Sequence, residues 1–208
     1  MPTPILHFTH VSHLASIASA GLRSDSEAQR DGVLAVEVGS RSVKDQRRTR
    51  DVPVGRGGVV ADFVPFYFAP RSPMMFAIDK GQVPEYADGI DPLVYLVTTV
   101  ERLVELGTEL IFTDGNATTG FTCFSTDLTE VDDLVDWAIM KEKYWRNTPE
   151  DGDRRRRRMA ECLAVGPVPW EAFGAVVARS DERSQEAAAQ LATIGINADI
   201  AVRPDWYF

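Results

Sequence analysis

The sequence predicts a mixed domain of short β-strands and helices, of either the α/β or the α+β class. Short runs of β-branched and aromatic residues recur along the chain, and segments with helical periodicity stand between them in irregular alternation. The 208 residues, of which 44% are hydrophobic, are enough to bury one full-sized core. Because nothing in the chain marks a linker, we expect a single domain over residues 1–208.

The first strand is predicted at TPILHFT, where Ile5, His7 and Thr9 alternate with apolar residues and share one face. Ser12 is then the expected N-cap of a helix at HLASIASA, and Gly21 is expected to end that helix. The chain therefore begins with a strand that is followed closely by a short helix.

The next third of the chain combines loops, two helices and a strand. Residues 23–32 are polar and typical of a loop, SVKDQRRTR predicts a helix, and VPVGRGGVVAD predicts a loop because Pro and Gly interrupt it. FVPFYFAP predicts a buried strand. SPMMFAIDKG then predicts a helix with Ser72 as N-cap, Pro73 in the first turn and Gly81 as terminator.

The remainder of the chain supplies most of the predicted sheet. LVYLVTTV and LIFTD predict two core strands on either side of a helix over residues 101–106. DDLVDWAIMKEKYW has the pattern of one amphipathic helix, ECLAV and AVVAR predict strands, and ERSQEAAAQLATI predicts a helix. ADIAVR is expected to close the sheet.

Positive charge is concentrated in two short segments of an acidic chain. The formal net charge is −9, yet eleven of the 22 Lys and Arg residues lie within residues 41–56 and 154–158. A solvated helix face is the ordinary explanation of such runs. The alternative is local binding of a polyanion such as a nucleic acid, with the acidic remainder disfavouring indiscriminate binding.

All three histidines, His7, His10 and His13, lie at intervals of three near the amino end, a spacing that suggests a metal site. In a strand, however, His10 points away from His7, and no HExxH motif or cysteine pair supplies further ligands. We therefore expect no metal. Cys123 and Cys162 have no CxxC partner and are expected to be reduced thiols.

No apolar run approaches the roughly 20 residues that a membrane span needs. The amino terminus also lacks a basic region followed by an apolar segment. The sequence therefore predicts a soluble, cytoplasmic protein without a membrane partner.

Several motifs, in order from residue 5 to residue 208, carry a resemblance to a known family. ILHFTHVSHLASIASAGL contains an H-x-T strand, DFVPFYFAPRSPMMFAI is the most specific segment, and FTDGN, RRMAECLAV and VRPDWYF follow. Together they resemble the DarT-type DNA ADP-ribosyltransferase toxins, and within them the branch that modifies thymidine. The resemblance covers nearly the whole chain.

The resemblance implies a fold and an activity. The fold is an α+β, ADP-ribosyltransferase-like fold whose mixed central β-sheets form an NAD cleft with helices around it. The activity is transfer of ADP-ribose from NAD, as co-substrate, to thymidine in single-stranded DNA, with release of nicotinamide and no metal. The expected partners are single-stranded DNA and a macrodomain antitoxin that removes ADP-ribose from DNA.

The resemblance also implies two catalytic residues. Glu161 matches the catalytic glutamate, which stabilises the positive charge that develops on the ribose. Arg48 matches the arginine that works with this glutamate, and Arg47 remains the alternative match. Because a guanidinium keeps its proton at physiological pH, its role is expected to be electrostatic, on the thymine ring anion or on a phosphate. We expect folding to bring His7, Arg48 and Glu161 together around one nicotinamide–ribose bond.

Further residues are expected to bind NAD or DNA. For NAD they follow the family motifs: His7, Thr9, Tyr67, Arg71, Ser72 and Met74. For single-stranded DNA they are basic residues that hold phosphates and aromatic residues that stack on bases: Arg47, Arg50, Tyr144, Trp145, Arg146, Arg154 and Arg158. Judged without the family, the same residues are an ordinary core histidine, a core aromatic strand and solvated arginines.

Two other classes of function remain open. One is an ADP-ribosyltransferase that acts on protein or RNA, or the related RNA 2′-phosphotransferase chemistry. The other is a nucleic-acid-binding module without catalysis. Labelling of DNA, rather than of RNA or protein, would distinguish a DNA ADP-ribosyltransferase from the first class. Dependence of NAD turnover on Glu161 would exclude the non-catalytic binding module.

Overall fold

The computed structural model describes residues 2–208. Its eight strands form one sheet in the order β5-β4-β6-β2-β1-β3-β7-β8. The strands are β1 (Pro4–His10), β2 (Phe63–Tyr67), β3 (Leu93–Thr99), β4 (Leu110–Thr113), β5 (Phe124–Ser125), β6 (Glu161–Val165), β7 (Ala175–Ala178) and β8 (Ile200–Val202). The β7–β8 pair is parallel and the other neighbours are antiparallel. This mixed sheet with its helices confirms the α+β class. The strands form one continuous hydrogen-bonded sheet, whereas more than one central sheet was expected.

Most helices are short and lie between the strands. They are α1 (Leu14–Ala20), α2 (Asp25–Arg30), α3 (Arg41–Thr49), α4 (Pro73–Asp79), α5 (Val100–Glu105), α6 (Val131–Leu134), α7 (Trp137–Lys141), α8 (Arg154–Arg157) and α9 (Asp181–Ala192). Single 3₁₀ turns lie at Val11–His13, Val60–Asp62, Leu128–Glu130, Trp170–Ala172 and Pro204–Trp206. The predicted strands around ILHFT, FVPFY, LVYLVTT, LIFT, ECLAV, AVVA and IAV are all present.

Capping residues explain why the predicted start of α4 and the predicted end of α1 are correct. The Ser72 hydroxyl accepts the Met75 N–H at 3.2 Å, and Pro73 occupies the first turn of α4. Gly21 ends α1 with a φ of 82°, a conformation that glycine adopts without strain. Both ends were readable from residue type alone.

The start of the first helix differs from the prediction. Ser12 is not the N-cap; instead the His10 ring nitrogen accepts the Ser12 N–H at 3.2 Å and begins the 3₁₀ turn that precedes α1. Histidine is an unusual capping residue, and residue type alone therefore favours the serine two positions later.

The loop predicted over residues 23–32 is wrong, since it contains α2. Ser24 and Glu27 form a reciprocal capping box, in which the serine hydroxyl accepts the Glu27 N–H at 3.2 Å and the glutamate accepts the Ser24 N–H at 3.3 Å. The S-x-x-E spacing was the available signal, but the polar composition of the segment outweighed it.

The single amphipathic helix predicted over residues 132–145 is also wrong. The segment contains two short helices, α6 and α7, and its last residues, after Lys141, are irregular. Asp136 interrupts the helix because its carboxylate accepts the Ile139 N–H at 3.0 Å and thereby begins α7 anew. The four-residue helix α8 and the two-residue strand β5 were not predicted.

The central strands diverge at one place, and this divergence creates the cleft. Strand β1 pairs with β3 along its whole length, from Pro4↔Thr99 to His10↔Leu93. With β2 it shares the single register pair Leu6↔Tyr67. Ile5 packs into the larger apolar cluster on one face of the sheet, and Leu6 packs into a second cluster on the other. Side chains near the divergence therefore border open space rather than a neighbouring strand.

Candidate active site

A cleft of about 700 Å³ opens where β1 and β2 diverge. Its walls come from β1, from the chain before and within α3, from β2, from the start of α4 and from the segment around α8. Six of the residues predicted from the sequence line it: His7, Thr9, Arg47, Tyr67, Met74 and Glu161. Strands that are adjacent in the sheet thus bring together residues from both ends of the chain.

Glu161 is the first residue of β6, and it is 1% exposed. One carboxylate oxygen accepts the Ala117 N–H at 3.0 Å, and the other accepts a hydrogen bond from Arg47 Nη1 at 2.8 Å. Its backbone N–H donates to the Thr113 hydroxyl at 2.9 Å, which itself donates to the Gly115 carbonyl at 2.7 Å. The turn after β4 therefore fixes both the backbone and the side chain of this glutamate.

The guanidinium of Arg47 faces Glu161, and only one of its two amino groups has a hydrogen-bond partner among the described residues. Burial lowers the pKa of Arg47, but the charge and hydrogen bond of Glu161 outweigh burial, so the pKa is raised overall and the guanidinium stays charged. The second amino group, Nη2, is buried and has no hydrogen-bond partner within residues 2–208. A buried donor without a partner is costly, so this group is available to a ligand in the cleft.

Helix α3 carries Arg47 but buries none of its own residues. Ion pairs hold it instead, because Lys44 contacts the carboxylates of Asp25 and Glu37, and Arg48 donates to Asp25 at 3.0 Å. Arg48 also donates to Asp45, one turn earlier on α3, at 2.9 Å. The position next to Glu161 was predicted for Arg48, but the structure places Arg47 there. Arg48 instead contacts the acidic residues Asp25 and Asp45.

His7 is a neutral hydrogen-bonding group of the cleft. Its Nδ1 lies 2.8 Å from the Pro65 carbonyl, which only accepts, so Nδ1 carries the proton and Nε2 is left as an acceptor. Burial lowers the pKa of His7 to about 4, and the nearby His13 and Arg47 act in the same direction. At neutral pH the ring is therefore an uncharged acceptor.

Thr9 belongs to a hydrogen-bond chain that joins β1 to the opposite wall of the cleft. His13 Nε2 accepts the Val36 N–H at 3.1 Å, so the proton lies on Nδ1, which donates to the Thr9 hydroxyl at 2.9 Å. Burial and the neighbouring His10 lower the pKa of His13, which favours this neutral form. The Thr9 hydroxyl proton is then left to donate to a ligand. His13 was not among the predicted site residues.

Tyr67 forms an aromatic wall next to the glutamate. It is the register partner of Glu161 across β2 and β6, and its ring stacks on Phe8 with centroids 6.3 Å apart and planes 12° apart. Burial, reinforced by the charge of Glu161, raises the pKa of Tyr67, so its phenol stays neutral. The hydroxyl lies 4.0 Å from the Met74 sulfur.

Two residues predicted to bind NAD do not line the cleft. The Arg71 guanidinium donates to the Tyr207 carbonyl and lies over the Phe208 ring, 4.1 Å from its centroid. Ser72 is buried as the N-cap of α4. These two side chains instead serve packing of the carboxyl end and capping of α4.

Two residues predicted to bind DNA are buried. Arg158 is 4% exposed and donates to the carbonyls of Ile139, Met140 and Pro70. Burial lowers the pKa of Arg158 to about 10. The indole of Trp145 donates to a backbone carbonyl at 3.0 Å and packs edge-on against Phe76. Both side chains are therefore engaged in contacts within the protein.

The other residues predicted to bind DNA lie at or near the surface. Tyr144 is 76% exposed, and its carbonyl accepts a hydrogen bond from Arg154 at 3.2 Å. Arg146 is exposed. Arg50 donates to the carbonyls of residues 119 and 120, at 3.4 and 3.3 Å. Arg50 therefore braces the loop after β4.

Sequence reasoning missed some residues that shape the cleft. Arg155 and Arg156 line it, whereas Arg158 of the same run is buried. On a helical turn successive residues point about 100° apart, so a run of five arginines cannot all face one surface. Ala117 contributes a backbone N–H, for which side-chain identity offers no signal.

The histidine rings are engaged by protein groups, and within residues 2–208 no group of three or more His, Cys, Asp or Glu residues is arranged to hold a metal ion. In the same part of the chain no helix combines the length and apolar character needed to cross a bilayer.

Comparisons with known proteins agree on one family. The family model described as ssDNA thymidine ADP-ribosyltransferase, DarT, matches residues 6–208. A DNA ADP-ribosyl transferase of Thermus sp. strain 2.9 is 31% identical over 211 residues, covering 100% of this chain and 97% of the relative. One of Mycobacterium tuberculosis H37Rv is 32% identical over 208 residues, covering 98% and 88%.

Solved structures of the Thermus sp. 2.9 protein are similar over the whole chain. The complex with ADP-ribosylated ssDNA gives a TM-score of 0.91 at 30% identity and covers 100% of this chain and 97% of that one. The complex with NAD+ gives 0.87 at 30% identity, with coverage of 100% and 98%. The resemblance seen in the motifs and the fold expected from it are confirmed.

Two arginines of one run are expected to differ in their effect on stability. Arg158→Ala removes the hydrogen bonds to the carbonyls of Ile139, Met140 and Pro70 together with a buried side chain, and it is expected to lower the free energy of unfolding by about 3 kcal/mol. Arg155→Ala, at an exposed position of the same run, is expected to change it by less than about 0.5 kcal/mol. Urea unfolding followed by circular dichroism measures both. Equal losses would contradict the structural role of Arg158.

His7 is expected to make stability depend on pH. Its pKa is about 4 in the folded chain and about 6.5 when unfolded, so the unfolded chain binds more protons between these values. Stability contributed by neutral His7 is therefore complete above pH 6.5 and is lost as the pH falls toward 4, by on the order of 2 kcal/mol. His7→Asn keeps a donor for Pro65 but does not titrate, so its unfolding free energy should fall less over this interval. Identical pH dependences would refute the assignment.

Proposed function

The chain belongs to the DarT family of ssDNA thymidine ADP-ribosyltransferases, and we propose that it uses this cleft to transfer ADP-ribose from NAD to thymidine in single-stranded DNA. The observation that carries the proposal is the buried Glu161 carboxylate, held by Arg47 and by the Ala117 N–H at the end of a cleft large enough for a dinucleotide. The related structures with NAD+ and with ADP-ribosylated ssDNA support both substrates.

The donor set of the cleft fits NAD. The volume of about 700 Å³ lies within the range of ordinary ligand sites. His7 offers a neutral acceptor, and Thr9 and Arg47 offer donors that the protein leaves available. These groups suit the amide and hydroxyl groups of the dinucleotide, with Tyr67 and Met74 as an apolar wall against a planar ring. When bound, NAD supplies an ADP-ribosyl group attached through a bond that breaks to release nicotinamide.

Glu161 has the electrostatic role. As the nicotinamide–ribose bond breaks, positive charge develops on the ribose, as in glycoside hydrolysis. A carboxylate that is almost completely buried stabilises such a charge more than one in water does, and its two donors hold it in place before the reaction. No rearrangement of the carboxylate is then required in the transition state.

Arg47 is assigned to the acceptor base. The N3 nitrogen of thymine must lose its proton to solvent or to Glu161 while it forms the new bond to the ribose, and the pair of electrons of the old bond leaves with nicotinamide. The base is anionic as its proton departs, and the unpartnered Nη2 of Arg47 is placed to stabilise a carbonyl oxygen of that anion. Arg48 then has an indirect role, because its ion pair with Asp25 helps to hold α3, and with it Arg47, in position.

Basic residues at the cleft supply the DNA-binding surface. Arg155 and Arg156 line the cleft. Arg146 is exposed, Arg50 and Arg154 are partly exposed, and each lies within three positions in the sequence of a residue that lines the cleft. The acidic remainder of the chain repels DNA elsewhere, because the net charge is −9. The exposed ring of Tyr144 is proposed to stack on a base of the DNA strand.

The cellular role follows from the product. An ADP-ribosyl group on N3 blocks the pairing edge of thymine, so the enzyme acts as a toxin when unopposed. We therefore include an antitoxin partner with a macrodomain that removes the group from DNA. We further propose that the protein acts in the cytoplasm, where both substrates are present. It does so as one catalytic domain over residues 1–208, a proposal that the match over residues 6–208 supports.

The function is tested by mass spectrometry of oligonucleotides after incubation with NAD. Single-stranded DNA with one thymidine is expected to gain one ADP-ribosyl group, whereas a matched strand without thymidine, a duplex and an RNA are not. Glu161→Gln keeps the size of the side chain and is expected to lower the rate by on the order of 1000-fold. Labelling of only RNA or protein would replace this proposal with the corresponding alternative.

The neighbouring arginines of α3 provide a matched pair. Arg47→Ala is expected to lower the rate of transfer by about 100-fold or more, because it removes the donor to the thymine oxygen and leaves Glu161 without its charged partner. Arg48→Ala, which breaks partly exposed ion pairs, is expected to cost about two- to threefold. Initial rates at saturating NAD distinguish them, and the reverse order would assign the catalytic role to Arg48.

A further inference from the structure

Phe121 is a large apolar side chain that the protein leaves in water. It is 70% exposed and lies in the loop between β4 and β5, four residues after Ala117, whose N–H holds Glu161. The same loop thus carries both the ring and the N–H that holds the proposed catalytic carboxylate. An exposed aromatic ring at such a place is explained if a substrate covers it.

The ring does have one partner, Arg156. The guanidinium carbon of Arg156 lies 5.1 Å from the centroid of the Phe121 ring. Arg156 is itself held by hydrogen bonds to Asp114 at 2.9 Å and to Asp153 at 2.9 and 2.8 Å, and it lines the cleft. The arginine is therefore a fixed support for the ring, with its charge paired by two carboxylates.

The loop that carries Phe121 is braced on both sides of the ring. The Thr122 hydroxyl donates to the Asn116 carbonyl at 2.7 Å. The guanidinium of Arg50 donates to the carbonyls of Thr119 and Gly120, at 3.4 and 3.3 Å. Because the backbone is held, the exposed ring has a defined position, which reduces the entropy lost when a ligand binds to it.

We propose that Phe121, supported by Arg156, is a stacking platform for the nucleobase next to the target thymidine. This inference rests on the proposed function and adds a contact that selects the DNA strand. Phe121 is not among the residues that line the cleft, so the base that stacks on it is a neighbour of the base that reaches Glu161. A planar base suits a flat ring flanked by a guanidinium, and such stacking tolerates every base.

Substitutions of Phe121 are expected to affect the DNA substrate alone. Phe121→Ala should lower the rate of transfer to a short oligonucleotide at subsaturating concentration by about tenfold or more, and Phe121→Trp should retain it. Hydrolysis of NAD without DNA and the melting temperature should stay unchanged in both variants. The matched control is Leu128→Ala, because Leu128 is also exposed, at 47%, and lies beyond β5; its rates should equal those of the native protein.

Abasic oligonucleotides identify the stacked base. One strand lacks the base 5′ of the target thymidine, another lacks the base 3′ of it, and a third is intact. With native protein, one of the two abasic strands should react about tenfold more slowly than the intact strand. In the Phe121→Ala variant, the same abasic site should lower the rate little further, because the stacking contact is already absent.

The outcomes separate the inference from the function on which it rests. If native protein modifies no DNA, the proposed function fails and the platform with it. If native protein modifies DNA but Phe121→Ala reacts at the native rate, the platform alone is wrong. Equal losses from abasic sites in native protein and Phe121→Ala would show that the ring acts on the loop rather than on a base, and would also overturn the inference.

Discussion

One buried ion pair, between Arg47 and Glu161, connects parts of the chain that are 114 positions apart. A carboxylate that is 1% exposed needs a charged or hydrogen-bonding partner, because an unpaired buried charge is strongly destabilising. Together with the ion pairs to Asp25 and Glu37, the pair also positions α3, since that helix has no buried residue of its own. The same interaction therefore makes a charged group tolerable inside the protein and forms one wall of the cleft.

The strands were predictable because their residues alternate or run continuously apolar, whatever surrounds them. Ile5 and Leu6 pack into clusters on opposite faces, as the alternation in ILHFT indicated. Short helices were less predictable, because a local hydrogen bond of a single side chain decides where they begin. Asp136 and His10 provide such bonds, and neither is distinguishable from an ordinary polar residue until the backbone is in place.

The residues of the cleft were predictable to the extent that family motifs mark them, and the motifs led to His7, Tyr67 and Glu161, which line the cleft. Their spacing in the sequence does not indicate which arginine of α3 faces inward. That depends on the rotation of a helix held by Asp25 and Glu37, which are distant from Glu161 in sequence. The His13–Thr9 hydrogen bond likewise becomes visible only with coordinates.

The attachment of α3 has a consequence for turnover. Charge pairs weaken with ionic strength and contribute little when solvent reaches them, whereas the sheet is held by buried apolar side chains. Opening of α3 as a local unit therefore costs much less free energy than unfolding the sheet. The dinucleotide can enter, and a modified strand can leave, by way of a partial unfolding that withdraws Arg47 from Glu161 and leaves the strands in place.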